Sequence, residues 1–150
     1  MIKSKIDRGN WIQTFTGRRF YPLDPQPEDI CIEDIAHSLS NKCRFTGHVK
    51  YYYSVAQHSV IVSRNVPVKD KFWGLMHDAA EAYLADLAKP IKILPEFKFF
   101  VEIENKIQEA ICKQFNLSLS QPESTHIADK RALLSEKRDL MIHIPESEWQ

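Results

Sequence analysis

The chain has 150 residues with 20 basic and 20 acidic side chains, so no global field draws it to nucleic acid or to an anionic membrane. That length supports one domain with a real core and is short for two. Three dispersed cysteines (Cys31, Cys43, Cys112) lack CxxC spacing, no stretch approaches the ~20 apolar residues of a membrane span, and no signal-peptide run opens the chain, so a soluble cytoplasmic protein with free thiols is expected.

Residues 11–22, WIQTFTGRRFYP, alternate apolar and polar around Thr16-Gly17 and predict a small hairpin or extended arm. A proline-rich stretch, YPLDPQPED, leads into EDICIEDIAHSLSNK, where Ile32, Ile35, Ala36 and Leu39 follow helical spacing. CRFTGHVKYYY (43–53) reads as irregular or partly extended. SVAQHSVIVSRN (54–65) predicts a helix capped by Ser54, with Val55, His58, Ile61 and Val62 on one face. VPVKDKFWGLMHDAAEAYLAD (66–86) reads as one central helix starting after Pro67, and LAKPIKILP as a proline-interrupted connection. Residues 96–116 form an amphipathic pattern through Phe100, Ile103, Ile107, Ile111 and Phe115. Pro122 opens a last helix expected to bury Ile127, Leu134 and Met141 or their neighbours. The expected fold class is all-α, a single domain over 1–150 with an N-terminal arm (1–28), a helical core (29–142) and a tail (143–150).

Within the central segment, GLMHDAAEAYLAD places four titratable groups among apolar ones, and burying their charged forms without partners is costly. On a helix, His77 and Glu81 are four apart and Asp78 and Glu81 three apart, so the three share a strip of surface. A divalent cation would resolve the desolvation problem, because neutral imidazole and carboxylate are ordinary ligands for Zn, Mn, Fe or Co. Two ligands are too few, and others must come from elsewhere. Asp86 would sit at the unfavourable negative end of this helix. Arg44 suits a bidentate fork to phosphate, and Phe45 beside it either stacks on a nucleobase or packs in the loop. His37 and His48 read as structural.

His58 lies in YSVAQHSV, His77-Asp78 in LMHDAAEAYLADLAKPIK and Asp129 in IADKRALLSEKRDL. In this order and in these surroundings the chain resembles the HD-domain phosphohydrolase superfamily. The upstream TFTGRRFYPLDPQPEDICIEDIAHSLSNKCRFTGH resembles the same branch, the YfbR-like nucleotidases and the DatZ-like dNTP triphosphohydrolases of bacteria and phages. The resemblance runs from about Thr14 to Met141. It implies His58, His77, Asp78 and Asp129 as ligands of one divalent transition metal (Zn, Mn, Co or Fe), sometimes with a second ion, Mg or Mn. It also implies Glu81 and Asp86 as the carboxylates that position and activate water, and Arg44 and Lys92 as phosphate contacts. His126 stands three before Asp129, where relatives often carry lysine. A homo-oligomer, dimer or hexamer, is implied as well.

The expected activity is hydrolysis of a nucleotide phosphoester, in a dNTP releasing triphosphate or in a nucleoside 5′-monophosphate. A cyclic-nucleotide phosphodiesterase and a catalytically silent nucleotide-binding helical module are the competing readings.

Overall fold

The computed structural model describes residues 8–145; the start of the arm (1–7) and the end of the tail (146–150) lie outside the described residues. The architecture is mainly α, with six α-helices and one two-stranded sheet among the described residues. No helix among them is long and apolar enough to cross a membrane. The chain divides into two compact units: one takes the residues up to Ser38 together with Ala79–Leu119, the other Leu39–Asp78 together with the residues from Ser120 onward.

The first unit opens with the expected hairpin, β1 (Ile12–Gln13) antiparallel to β2 (Arg19–Phe20), with Ile12 opposite Phe20. Gly17, at φ 82°, takes the left-handed conformation that glycine adopts at no steric cost. Helix α1 (Ile32–Ser40) follows, and its buried Asp34 accepts the Thr16 N–H at 2.7 Å and the Thr16 hydroxyl at 3.0 Å. Ile35 and Leu39 are buried as the spacing predicts, whereas Ile32 and Ala36 are exposed. Phe20, fully buried, stacks on Tyr83 at 4.0 Å. Helix α4 (Lys89–Lys92) occupies the stretch expected as a plain connection, with Pro90 in its first turn, where a missing N–H costs nothing. Helix α5 (Lys98–Gln114) buries Ile107, Ala110, Ile111 and Cys112, and its earlier apolar residues Phe100 and Ile103 are half-buried.

In the second unit helix α2 (Val55–Arg64) begins with a capping box. The Ser54 hydroxyl accepts the Gln57 N–H at 3.1 Å while Gln57 Oε1 accepts the Ser54 N–H at 2.8 Å. Two otherwise orphaned donors are thereby satisfied. Val55 and Val62 are fully buried, each contributing roughly 1.5–3 kcal/mol, but Ile61 is exposed and Ser59 takes its place on the buried face. Val62 and Val66 pack with Ala128 and Ala132 of helix α6 (Glu123–Leu140). The buried row of α6 is therefore Thr125, Ala128, Ala132, Glu136 and Leu140, and Ile127 and Leu134 face solvent. Small alanines, rather than the larger apolar residues, bring α6 against α2.

The expected central helix over 66–86 is broken. A 3₁₀ turn (Val68–Asp70) leads into a short α3 (Lys71–Met76), residues 77–78 form a turn, and a second 3₁₀ turn covers Ala79–Tyr83. A side-chain contact coincides with the break: His77 Nδ1 lies 2.8 Å from the Gly74 carbonyl, the group that in a continuing α-helix would accept the Asp78 N–H, and α3 stops at Met76.

Candidate metal centre

Three elements of the second unit supply the centre. Helix α2 presents His58 from its fully buried face. His77 and Asp78 sit in the turn after α3, and Asp129 lies in the second turn of α6. Gly74 allows the approach of α3 to α2, since a Cβ there would lie 3.1 Å from Ser63 Cα.

The four side chains implied as ligands converge. His58 Nε2 is 3.2 Å from His77 Nε2, 3.1 Å from Asp129 Oδ1 and 3.7 Å from Asp78 Oδ2. His77 Nε2 is 3.3 Å from Asp78 Oδ2 and 3.9 Å from Asp129 Oδ1. His58, His77 and Asp129 thus form a group whose donor atoms lie within 4.8 Å of one another and could hold a metal ion. Asp78 is not part of that group; its Oδ2 lies beside both imidazole nitrogens, and it does not share a helical strip with Glu81, because 77–81 is a turn and a 3₁₀ segment.

The far side of each ring fixes what the near side offers. His58 Nδ1 lies 2.6 Å from Glu136 Oε1, and His77 Nδ1 faces the Gly74 carbonyl. Both partners only accept when Glu136 is ionised, so Nδ1 of each ring carries a proton, and Nε2 of each points at the centre, where a proton or a cation has to stand between it and the facing carboxylates. The two Nε2 atoms, 3.2 Å apart, repel as bare lone pairs and are relieved by a proton on one of them or by a cation between them. Two nitrogens about 2.1 Å from one ion at a tetrahedral angle would stand about 3.4 Å apart, close to the spacing found.

The charges point the same way. Burial opposes ionisation of Asp78, Asp129 and Glu136, but the imidazoles outweigh it, helped by Arg44 at Asp78 and Glu136, and hold all three carboxyls below their ordinary range. Burial also disfavours charged His58 and His77, yet the facing carboxylates raise both above a free imidazole. Three carboxylates against one guanidinium leave two negative charges, the complement of one divalent ion. The residues fit such an ion in number, donor type and charge.

Arg44 joins this cluster, with Nε and Nη2 each 3.1 Å from Glu136 Oε2 and Nη1 3.6 Å from Asp78 Oδ2. Phe45 is half-buried with the Arg44 guanidinium 5.3 Å from its ring centre. Phe45 and Thr46 both have φ 54°, followed by Gly47 at φ 82°. Left-handed backbone at two consecutive non-glycine residues stores strain of order 1–3 kcal/mol each. His126 is exposed on α6.

Glu81, Asp86 and Lys92 belong to the other compact unit. Glu81 is half-buried in the Ala79–Tyr83 turn, with Oε2 shut off from solvent. Asp86 is exposed beyond that turn, so the expected helix-end position does not exist. Lys92 pairs with Glu104 at 2.7 Å.

Glu136 was not among the residues singled out from the sequence. It is 4 % exposed and binds His58, Tyr53 and Arg44 at once. The available signal was its position seven residues after Asp129, on the same side of one helix.

The chain is 44 % identical over 132 residues to the uncharacterized protein YfdR of Escherichia coli (strain K12), an alignment covering 87 % of this chain and 72 % of YfdR. The chain belongs to the YfdR family. A second similar protein, an uncharacterized protein of Rhodobacter capsulatus, is 37 % identical over 131 residues, covering 81 % of this chain and 66 % of that protein. No family model matches the chain.

Proposed function

We propose that this chain is a metal-dependent phosphohydrolase of the HD type that cleaves a phosphoester of a (deoxy)nucleotide. The observation that supports the reading is the grouping of His58, His77 and Asp129, separate in sequence, inside a single compact unit, with Asp78 beside the two imidazoles. These four side chains would hold one divalent transition metal, Zn, Mn, Co or Fe. A bound ion of this kind polarises a phosphoryl oxygen and lowers the pKa of a water.

The remaining work falls to the chain's own groups. Arg44, a permanent cation beside Asp78, binds and orients a phosphate through charge-assisted hydrogen bonds. Low-pKa Asp78 and Asp129 stay ionised and keep both imidazoles turned toward the centre. The sequence resemblance assigns Glu81 to taking the proton of the attacking water, with Asp86 assisting and Lys92 and His126 as further phosphate contacts. A homo-oligomeric state belongs to the same reading.

The test is a panel of nucleoside mono-, tri- and cyclic phosphates incubated with the purified protein and Mn, Co, Mg or Zn, with products separated by chromatography. Turnover that depends on a metal and is lost in Asp78→Ala is expected, and the released group (phosphate or triphosphate) identifies the bond cleaved. Absence of turnover with every metal, combined with equal nucleotide binding by wild type and Asp78→Ala, would remove the enzyme from consideration.

A further inference from the structure

The Glu136 carboxylate is spent on four donors. Oε1 accepts the His58 Nδ1–H at 2.6 Å and the Tyr53 hydroxyl at 3.0 Å; Oε2 accepts from Arg44 Nε and faces Nη2, both at 3.1 Å. The group is almost completely buried and its partners reach it from α2, from the strand-like residues before α2, and from the loop at 44. A carboxylate is the only side-chain group of this length that accepts on both oxygens. An amide in its place would have to point an N–H₂ at one side.

We infer that Glu136 is a positioning residue that sets the His58 tautomer, holding the proton on Nδ1 so that the Nε2 lone pair faces the centre, while aligning Arg44 on the same carboxylate. It touches no metal or substrate itself. Outer partners of this kind fix ring orientation and raise ligand basicity, and their loss costs about 10–100-fold in metal affinity. The inference rests on the metal-centre reading for its consequence and on hydrogen bonding alone for its cause.

Glu136→Gln gives a directional test. The Arg44 guanidinium cannot lose its proton, so the amide oxygen stays with Arg44 and the N–H₂ turns to His58. That donor requires an acceptor, and the His58 proton moves to Nε2. In the metal-free protein, ¹⁵N–¹H correlation spectra of the imidazoles should show a proton on His58 Nδ1 in wild type and none on Nδ1 in Glu136→Gln, where the ring proton is left on Nε2 facing Asp129 Oδ1. Titration calorimetry with Mn²⁺ alone should show affinity falling 10–100-fold, with far-UV circular dichroism unchanged. Glu136→Asp keeps the charge but withdraws it, and should give an intermediate loss; it serves as the second variant if the amide variant does not fold.

An unchanged His58 tautomer in Glu136→Gln, or Mn²⁺ affinity equal to wild type, overturns the inference and leaves the metal centre standing. Wild type that binds no divalent ion overturns the metal reading, while the tautomer change still supports the action of Glu136 on His58.

Discussion

Polar side chains within the two compact units include two contrasting sets. In the first unit, one set serves backbone: Tyr83 Oη accepts the Cys31 N–H at 3.2 Å, Ser38 donates to the Ala82 carbonyl at 2.8 Å, Gln108 Oε1 accepts the Ala80 N–H at 3.2 Å, and Asp34 accepts the Thr16 N–H. In the second, His58, His77, Asp78, Asp129, Glu136 and Arg44 face one another. Side chains that satisfy backbone hold connections in place. Side chains that crowd like charges and matching lone pairs together lower stability unless something else enters. The contrast separates architecture from chemistry before any activity is measured.

Removing a ligand should break the contrast most severely. Asp129→Ala or His77→Ala is expected to lose Mn²⁺ or Zn²⁺ binding by more than the ~100-fold that an outer partner commands, read by calorimetry, with helical content retained. Metal addition should act on the second kind of group only. At a free concentration 100 times its Kd, a divalent ion would stabilise wild type by about 2.7 kcal/mol, seen as a rise of several degrees in Tm that a chelator reverses and Asp129→Ala never shows.

Asp34→Ala sharpens the other side. It leaves the Thr16 N–H without its partner and should cost about 1–3 kcal/mol in denaturant unfolding, with unchanged metal affinity. Tyr83 gives the smallest and most specific effect. Burial pushes its phenol from 10.0 up to about 12, so the unfolded chain releases this proton first. Its contribution to stability is therefore constant below pH 10 and declines as pH rises toward 12. Tyr83→Phe should flatten that alkaline decline relative to wild type while costing about 1 kcal/mol at neutral pH for the lost Cys31 contact. An identical pH profile in the variant would mean that Tyr83 does not carry the decline.

Features set by neighbours in sequence were legible in it. The Thr16-Gly17 turn and the Ser54–Gln57 cap depend on residues within four of each other, and both are present. The helix break was not legible, because apolar periodicity continues through residues 77–83 while the His77 ring takes a backbone acceptor. The packed row of α6 includes Ala128 and Leu140, neighbours of the large apolar residues that the spacing marks, but its Ala132 and Glu136 are not what apolar size points to. Of the centre, the order of His58, His77-Asp78 and Asp129 suggested which residues to watch. Glu136 stayed hidden because a glutamate in SEKRDL looks like any solvated charge. Only its tertiary partners distinguish it.

Gly74 does two unrelated jobs with the atoms every residue has: its bare Cα admits Ser63, and its carbonyl anchors His77. A methyl group there must push α3 outward by a few tenths of an ångström against backbone, and the imidazole travels with it. Gly74→Ala would therefore displace the His77 ring although no atom of that side chain had been changed.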